Sequence, residues 1–544
     1  MSSFEQSASL AIETAEGTRT YKRSIVILLG AAVQRFDHTQ QQAGTISPAC
    51  LSVQECVANS FVFNISSNGQ GWEPTDALAS GIFQTMKQLV QEKLPIVYKI
   101  VARSDLEAYF ASKNAQVSLD FVKGIPDASI NCYSVQLGAT GGEYLQIAHA
   151  MHGKELLDNC GSINSEHFNV SVGASPQRHL RLHHAIPNLT TKKLEMVTTN
   201  EELLLDAYNK QKIWSQQLNF DSVASCNKAI MSSQSNQLIQ LCEAMHEHQL
   251  VNIANRIGGT VGTIAQPGPR LVLIAGPSSS GKTTFAKRLG VTLETTGVRP
   301  IVISVDSYYK GWPDIDARGM QYVDWESLDS LNLTLLNEHL IALLVGEEVS
   351  VPEYDMKTSM PMEKEHWVKT QLPKGGLIIM EGIHCLNPNL TPRVAKCDKF
   401  QIMISPLSAV AIDNTSFISS TQVRMMRRMV RDFLFRGRSA SSTLNQWPGV
   451  ALGERVNIYP NQNYADIVMN SSLIYETHVL KIYAEPLLRS IRSDHGEYAE
   501  AQRLLYLLNQ LVSLPGTAVP SASLLREFIG GSWYYPFAGQ YKTA

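Results

Sequence analysis

The chain has 544 residues, more than one hydrophobic core usually organises, so two or three domains are expected. Hydrophobic residues at 44% and charged residues at 17% are the balance of an ordinary globular protein and exclude long charged, disordered tails. A formal net charge of -3 gives no global pull towards nucleic acid or an anionic membrane, and the eight scattered cysteines, without a C-x-x-C pair, exclude a disulfide framework or a zinc ribbon.

The first residues, MSSFEQSASLAIETAEG, lack the basic-then-apolar layout of a secretion signal. The apolar run IVILLGAAV (25–33) falls far short of the ~20 residues that span a bilayer. The expected setting is therefore the cytoplasm, with no membrane partner. Residues 1–200 mix short helical stretches with strand-like runs such as LPIVYKIVA (94–102) and FNVSV (168–172), which predicts an α+β domain. Residues 201–256 carry apolar side chains at helical spacing, as in SNQLIQLCEAMHEHQLVNIANRI, and read as a helical connector. The glycines and prolines of IGGTVGTIAQPGP (257–269) cannot continue a helix or a central strand and mark a linker.

After the linker the texture changes. LVLIAG (271–276), PIVISVD (300–306), GLIIMEG (376–382), KFQIMIS (399–405) and ADIVMNS (465–471) are continuous apolar runs separated by helical stretches and loops. A parallel sheet covered on both faces requires this pattern. The fold expected for 270–495 is an α/β domain with a mostly parallel sheet and ligands at the carboxyl ends of its strands. Residues 496–544 read as a C-terminal helical extension.

The segment Gly276-Pro-Ser278-Ser279-Ser280-Gly281-Lys282-Thr283-Thr284 follows the first of these runs and opens a helix. G-x-x-x-x-G-K-[ST] in that context is a P-loop: backbone N–H groups curl around phosphate oxygens and the helix N-terminus adds its positive end. Lys282 is expected to reach the β- and γ-phosphates of ATP, and the Thr283 hydroxyl to ligate Mg²⁺. No N-K-x-D guanine-reading motif follows the loop, which argues against a GTPase. Asp306 and Glu381 end strand-like runs and should face the γ-phosphate. One such carboxylate can hold Mg²⁺ or its water, and another can accept the proton of an attacking hydroxyl.

TQVRMMRRMVRDFLFRGRSA places Arg424, Arg427/Arg428 and Arg431 at i, i+3/4 and i+7, on one helix face. Only Asp432 is an acid near in sequence, so a solvated ion-paired face is the weaker expectation. Beside a P-loop the stronger one is an arginine lid that neutralises charge on the transferring phosphoryl group.

These stretches, with ISVDSYY, YVDWESLDSLN, VPEYDMKTS, IIMEGIHCLNP and VLKIYAEPLL, resemble the uridine kinase and phosphoribulokinase branch of the P-loop kinases, and most of all a bacterial-type nucleoside kinase group with an N-terminal extension. The resemblance implies phosphorylation of a nucleoside 5′-hydroxyl using ATP and Mg²⁺. It places the base on Asp306, a ribose-holding acid on Asp324, a base-pocket tyrosine on Tyr354 and a Mg²⁺-side glutamate on Glu381. The arginines it implies fall on Arg428 at the substrate, Arg431 at ATP, and Arg436 and Arg438 at the reacting phosphate, with a substrate-side glutamine at Gln446. One departure concerns specificity: Ser359 stands where uridine kinases carry a pyrimidine-contacting histidine, and Met356 replaces a phenylalanine. Losing a donor to the base edge loosens selectivity between acceptors.

The N-terminal half resembles the additional domain beside the editing site of threonyl-tRNA synthetases. Its YKRSIVILLGAAVQRF looks like that domain's first helix, but carries Tyr21 and Ser24 where the synthetase form has histidines. The pair His183-His184 has no acid or cysteine at ligand spacing and reads as loop histidines. The implied role is a non-catalytic accessory domain. Nucleic acid remains a partner only through that domain, and self-association is left open.

Overall fold

In a computed structural model the protein is described over residues 15–42, 48–57, 60–67, 70–139, 141–149, 157–173, 179–187, 194–196, 202–260, 268–311 and 325–534. The chain forms two compact units. The first comprises Met1–Glu202, Lys212–Lys228 and Ala409–Ser419, and the second Leu203–Gln211, Ala229–Ser408 and Ser420–Ala544.

The first unit is α+β. A helix over Ala15–Gln42 buries Ile25, Leu28 and Leu29 completely, and packs against a second helix, Asp76–Glu92, whose Ile82, Met86 and Leu89 are equally buried. The second helix starts where the Thr75 hydroxyl accepts the Leu78 N–H, satisfying one of the orphan donors of its first turn. An antiparallel sheet runs Cys50–Val57, Ser60–Ser67, Leu180–His184, Phe168–Val172, with a short strand Gln70–Gly71 on its side. A separate three-stranded sheet joins Ile96–Ala102, Ser129–Gly138 and Gly142–Ile147. The expected run at 168–172 is thus a strand in full, and that at 94–102 from Ile96 onward.

The histidine pair departs from expectation. His183 and His184 end a strand rather than occupy a loop. Alternation sends one side chain to each face of the sheet. His184 is buried against the Phe61 ring, its Nδ1 paired with the Ala185 carbonyl, and burial holds its pKa well below the usual histidine range. His183 meets Ser171 on the neighbouring strand. Tyr21 and Ser24 also spend their hydroxyls on backbone carbonyls, those of His167 and Thr20. Among the described residues no group of three or more His, Cys, Asp or Glu could hold a metal.

The second unit is α/β. Two short antiparallel pairs, Glu348–Val351 with Val368–Gln371 and Tyr354–Asp355 with Met360–Pro361, lie apart from its main sheet. The main sheet joins Leu271–Ala275, Pro300–Ser304, Leu377–Glu381, Lys399–Ser405 and Ile467–Asn470, all parallel. Their spatial order puts Pro300–Ser304 at one edge, followed by Leu377–Glu381, Leu271–Ala275, Lys399–Ser405 and Ile467–Asn470. Every residue of Leu271–Ala275 and Leu377–Glu381 is buried, as central strands covered by helices must be. The edge strand opens on Pro300, where a missing N–H costs no ladder bond. The sheet therefore presents its carboxyl ends at the P-loop, between the two central strands and the edge. Among the described residues no helix is long and apolar enough to cross a membrane.

Candidate active site

The P-loop runs from the end of Leu271–Ala275 to the helix Lys282–Glu294. Two glycines fix its shape. A Cβ on Gly276 would lie 2.1 Å from the Ile404 carbonyl oxygen, so the loop can hug the neighbouring strand only without a side chain. Gly281 has φ +90°, a conformation that L side chains rarely adopt, and turns the chain into the helix. Lys282 Nζ donates to the carbonyls of Gly276 (3.0 Å) and Pro277 (3.2 Å), spanning the loop.

Glu381, the last residue of its strand, is buried and accepts bonds from Thr283 Oγ1 (3.2 Å) and Ser304 Oγ (2.8 Å) on one carboxylate oxygen. Burial and the neighbouring Asp306 push its pKa up to about 7. One carboxylate flanked by two hydroxyls is a hard-oxygen donor set of the kind that would suit Mg²⁺. Asp306 lies two residues past the strand end, in a tight turn over Val305–Tyr308. Burial raises its pKa, while Lys282, Arg436 and Arg431 pull it back down. Those three cations are therefore within electrostatic reach of the carboxylate. Tyr354 is close enough to Asp306 to feel its charge, and its ring lies 5.7 Å from that of Tyr309, which in turn meets Trp325 edge-on at 5.8 Å.

The arginine helix, Ser420–Arg436, divides its charges between two jobs. Arg424 and Arg427 are buried struts. Arg424 forms a bidentate pair with Glu454, and Arg427 pairs with Glu476 at 2.6 Å while donating to the carbonyls of Ser471, Ser279 and Ser280. These two hold the outside of the P-loop, and their acids come from distant sequence rather than from Asp432. Arg428, Arg431 and Arg436 surround the fully buried Asp432, at 3.5, 2.8 and 3.5 Å. They hold its carboxyl down at about 2. Arg428 Nη1 also donates to Ser278 Oγ (2.8 Å), which ties this arginine cluster to the loop itself.

Arg438 Nη1 reaches Gln446 Oε1 (3.2 Å) on the exposed side. Asp324 lies outside the described residues. Ser359 sits at φ +58° in a turn where its N–H donates to the Asp355 carbonyl. Sequence reasoning missed Ser304, Tyr309 and Trp325. Tyr309 lies within the D-S-Y-Y motif and Ser304 two residues before Asp306, so both were one alternation away. Glu326 was also missed. Its carboxyl, beside Glu454 and pushed up to about 7 chiefly by burial, has an electrostatic environment that includes Asp306 and Lys282.

A strand, a glycine-shaped loop and a helix, with a lysine across the loop and carboxylates at the strand ends, define a P-loop kinase domain. Residues 271–477 match the model of the Phosphoribulokinase / Uridine kinase family, and this C-terminal stretch is a domain of that family. The chain is 28% identical over 203 residues to a uridine kinase of Deinococcus deserti, covering 37% of this chain and 87% of that one. It is also 28% identical over 222 residues to a uridine kinase of Mycoplasma pneumoniae, covering 40% of this chain and 94% of that one. A solved structure described as a possible uridine kinase from Bacillus stearothermophilus shares 17% identity, with a TM-score of 0.26, over 41% of this chain and 98% of that one.

Proposed function

We propose that the kinase domain transfers the γ-phosphoryl group of ATP to the 5′-hydroxyl of a nucleoside, uridine or cytidine. The observation that carries this is that Asp306 lies within electrostatic reach of three cations and of Tyr354, whose ring adjoins those of Tyr309 and, through it, Trp325. Asp306 feels the charges of Lys282, Arg436 and Arg431, and Tyr354, within reach of its charge, begins a run of tilted and edge-on rings through Tyr309 to Trp325. Flat aromatic faces suit a nucleobase, and a carboxylate beside cations suits a hydroxyl that must lose its proton as phosphate arrives. The names of the relatives support the same acceptor class.

In this proposal Asp306 accepts the proton of the 5′-hydroxyl. Its raised pKa makes it a stronger base than an exposed aspartate, while the charges of Lys282, Arg436 and Arg431 favour the ionised form. Lys282 and the P-loop N–H groups hold the β- and γ-phosphates, and Arg436 with Arg438 faces the charge that develops on the transferring group. Arg431 binds ATP, Arg428 and Gln446 lie on the acceptor side, and Asp324 holds ribose hydroxyls. Mg²⁺, held by Thr283 and Glu381, would neutralise phosphate charge during transfer.

A second reading keeps the chemistry and changes the acceptor to another small alcohol. Ser359 favours it, because a serine in a tight turn does not replace a histidine donor to a pyrimidine edge. ATP consumption against uridine, cytidine, pentose phosphates and pantothenate decides between them. Turnover with pyrimidine nucleosides alone supports the proposal, and turnover with a non-nucleoside alcohol alone overturns it.

A further inference from the structure

The P-loop helix already carries an anion at its N-terminus, and that anion belongs to the chain. Glu527 Oε2 accepts both the backbone N–H of Thr284 (3.2 Å) and its hydroxyl (2.7 Å). Thr284 is the third residue of the helix, so its N–H is one of the free donors that a P-loop turns towards phosphate. Both residues are buried, Thr284 at 0% and Glu527 at 8% exposure. Glu527 is also within electrostatic reach of Glu381.

The segment that bears Glu527 is firmly seated. Leu524 packs so closely on the loop that a Cβ on Gly281 would meet it at 2.5 Å. Ser523 Oγ donates to Glu243 (2.6 Å), and the Phe528 ring lies 5.1 Å below the Arg427 guanidinium. Arg526 ties the turn together by donating to the carbonyls of Gly516, Val519 and Gly530. The Glu527 side chain is therefore delivered to Thr284 by a fixed scaffold.

We infer that Glu527 is a built-in competitor of the nucleotide's phosphates: its carboxylate holds the Thr284 donors and must rotate away before a polyphosphate can take them. A carboxylate and a phosphate cannot share the same N–H and hydroxyl, and two anions in contact repel. ATP binding to the resting protein thus includes displacement of Glu527, and apparent affinity is lowered by the fraction of molecules in which it has left. This rests on the reading of the P-loop as the ATP site.

The test compares ATP and adenosine binding by calorimetry in the full chain for wild type, Glu527→Gln, Glu527→Asp and Lys282→Ala. Glutamine is isosteric with glutamate but neutral, and charge-assisted bonds are about twice as strong as neutral ones, so Glu527→Gln should bind ATP roughly tenfold tighter with adenosine unchanged. Glu527→Asp, which draws the charge back by one methylene, should give a smaller gain and covers the case in which the glutamine variant fails to fold. Equal or weaker ATP binding by both variants overturns the inference and leaves Glu527 as a helix cap. A tighter affinity for adenosine as well would overturn it too, since the competition is for phosphate. The reading of the loop fails separately, if Lys282→Ala binds ATP as well as wild type does.

Discussion

Replacing Arg427 by methionine tests whether this arginine is a strut of the P-loop rather than a phosphate ligand. Its guanidinium is 0% exposed, pairs with the 1% exposed Glu476 at 2.6 Å and donates to Ser471 O at 2.8 Å. Methionine fills much of the volume but leaves Glu476 buried without its partner. Removing one member of a buried pair costs about 3–5 kcal/mol, whereas replacing both is often close to neutral. For a unit of this size that is a fall in melting temperature of roughly 5–8 °C. Arg427→Met should therefore melt that much lower, and Arg427→Met with Glu476→Gln should recover at least half of the loss. Recovery will be partial, because Ser279 and Ser280 also lose a donor to their carbonyls. Thermal unfolding followed by circular dichroism, read as a double-mutant cycle, gives the coupling directly. A single variant as stable as wild type, or a double variant no better than the single, would refute the strut.

His246 offers a pH test of the same unit. It is buried, its Nε2 pairs with the Ser472 carbonyl at 3.0 Å, and burial lowers its pKa to about 3. The unfolded chain takes up this proton first as pH falls, so the stability it contributes is present above about 6.5 and is lost downward towards 3. The loss is about 1.4 kcal/mol per pH unit, or about 2 kcal/mol between pH 6.5 and 5. His246→Gln, which keeps a donor for Ser472, should flatten the decline in melting temperature over that window. An unchanged slope would show that His246 is protonated in the folded protein. Tyr354→Phe should raise the acceptor KM about five- to fiftyfold with little change in kcat, the cost of one lost hydrogen bond to a bound substrate. An unchanged KM would remove the hydroxyl, though not the ring, from acceptor binding.

The second unit was legible because its signals are local. Parallel strands buried on both faces must be written as unbroken apolar runs, and all five such runs are strands. The P-loop is a contiguous word whose glycines answer to close packing and a positive φ. What escaped notice is non-local. The acids that neutralise Arg424 and Arg427 lie 30 and 49 residues away, so the arginine helix looked more exposed and more uniformly devoted to phosphate than it is. Glu527 lies 243 residues from Thr284, with nothing in the spacing to announce it. His183-His184 looked like a loop because the strand that contains them is short, though RLHH carries the alternation of one. Asp306 was placed at a strand end and lies two residues beyond it, because the backbone tightens into a turn after Ser304.

The central claim is that Asp306 takes the proton of a hydroxyl positioned at a P-loop ATP site. Its most direct test is Asp306→Asn, with ATP affinity measured by calorimetry and phosphoryl transfer to uridine followed by phosphorus NMR on the same preparation. Loss of the general base should cost about 10²- to 10⁴-fold in transfer while ATP affinity changes little, since the P-loop contacts are untouched. Transfer by the asparagine variant at close to the wild-type rate would contradict the claim.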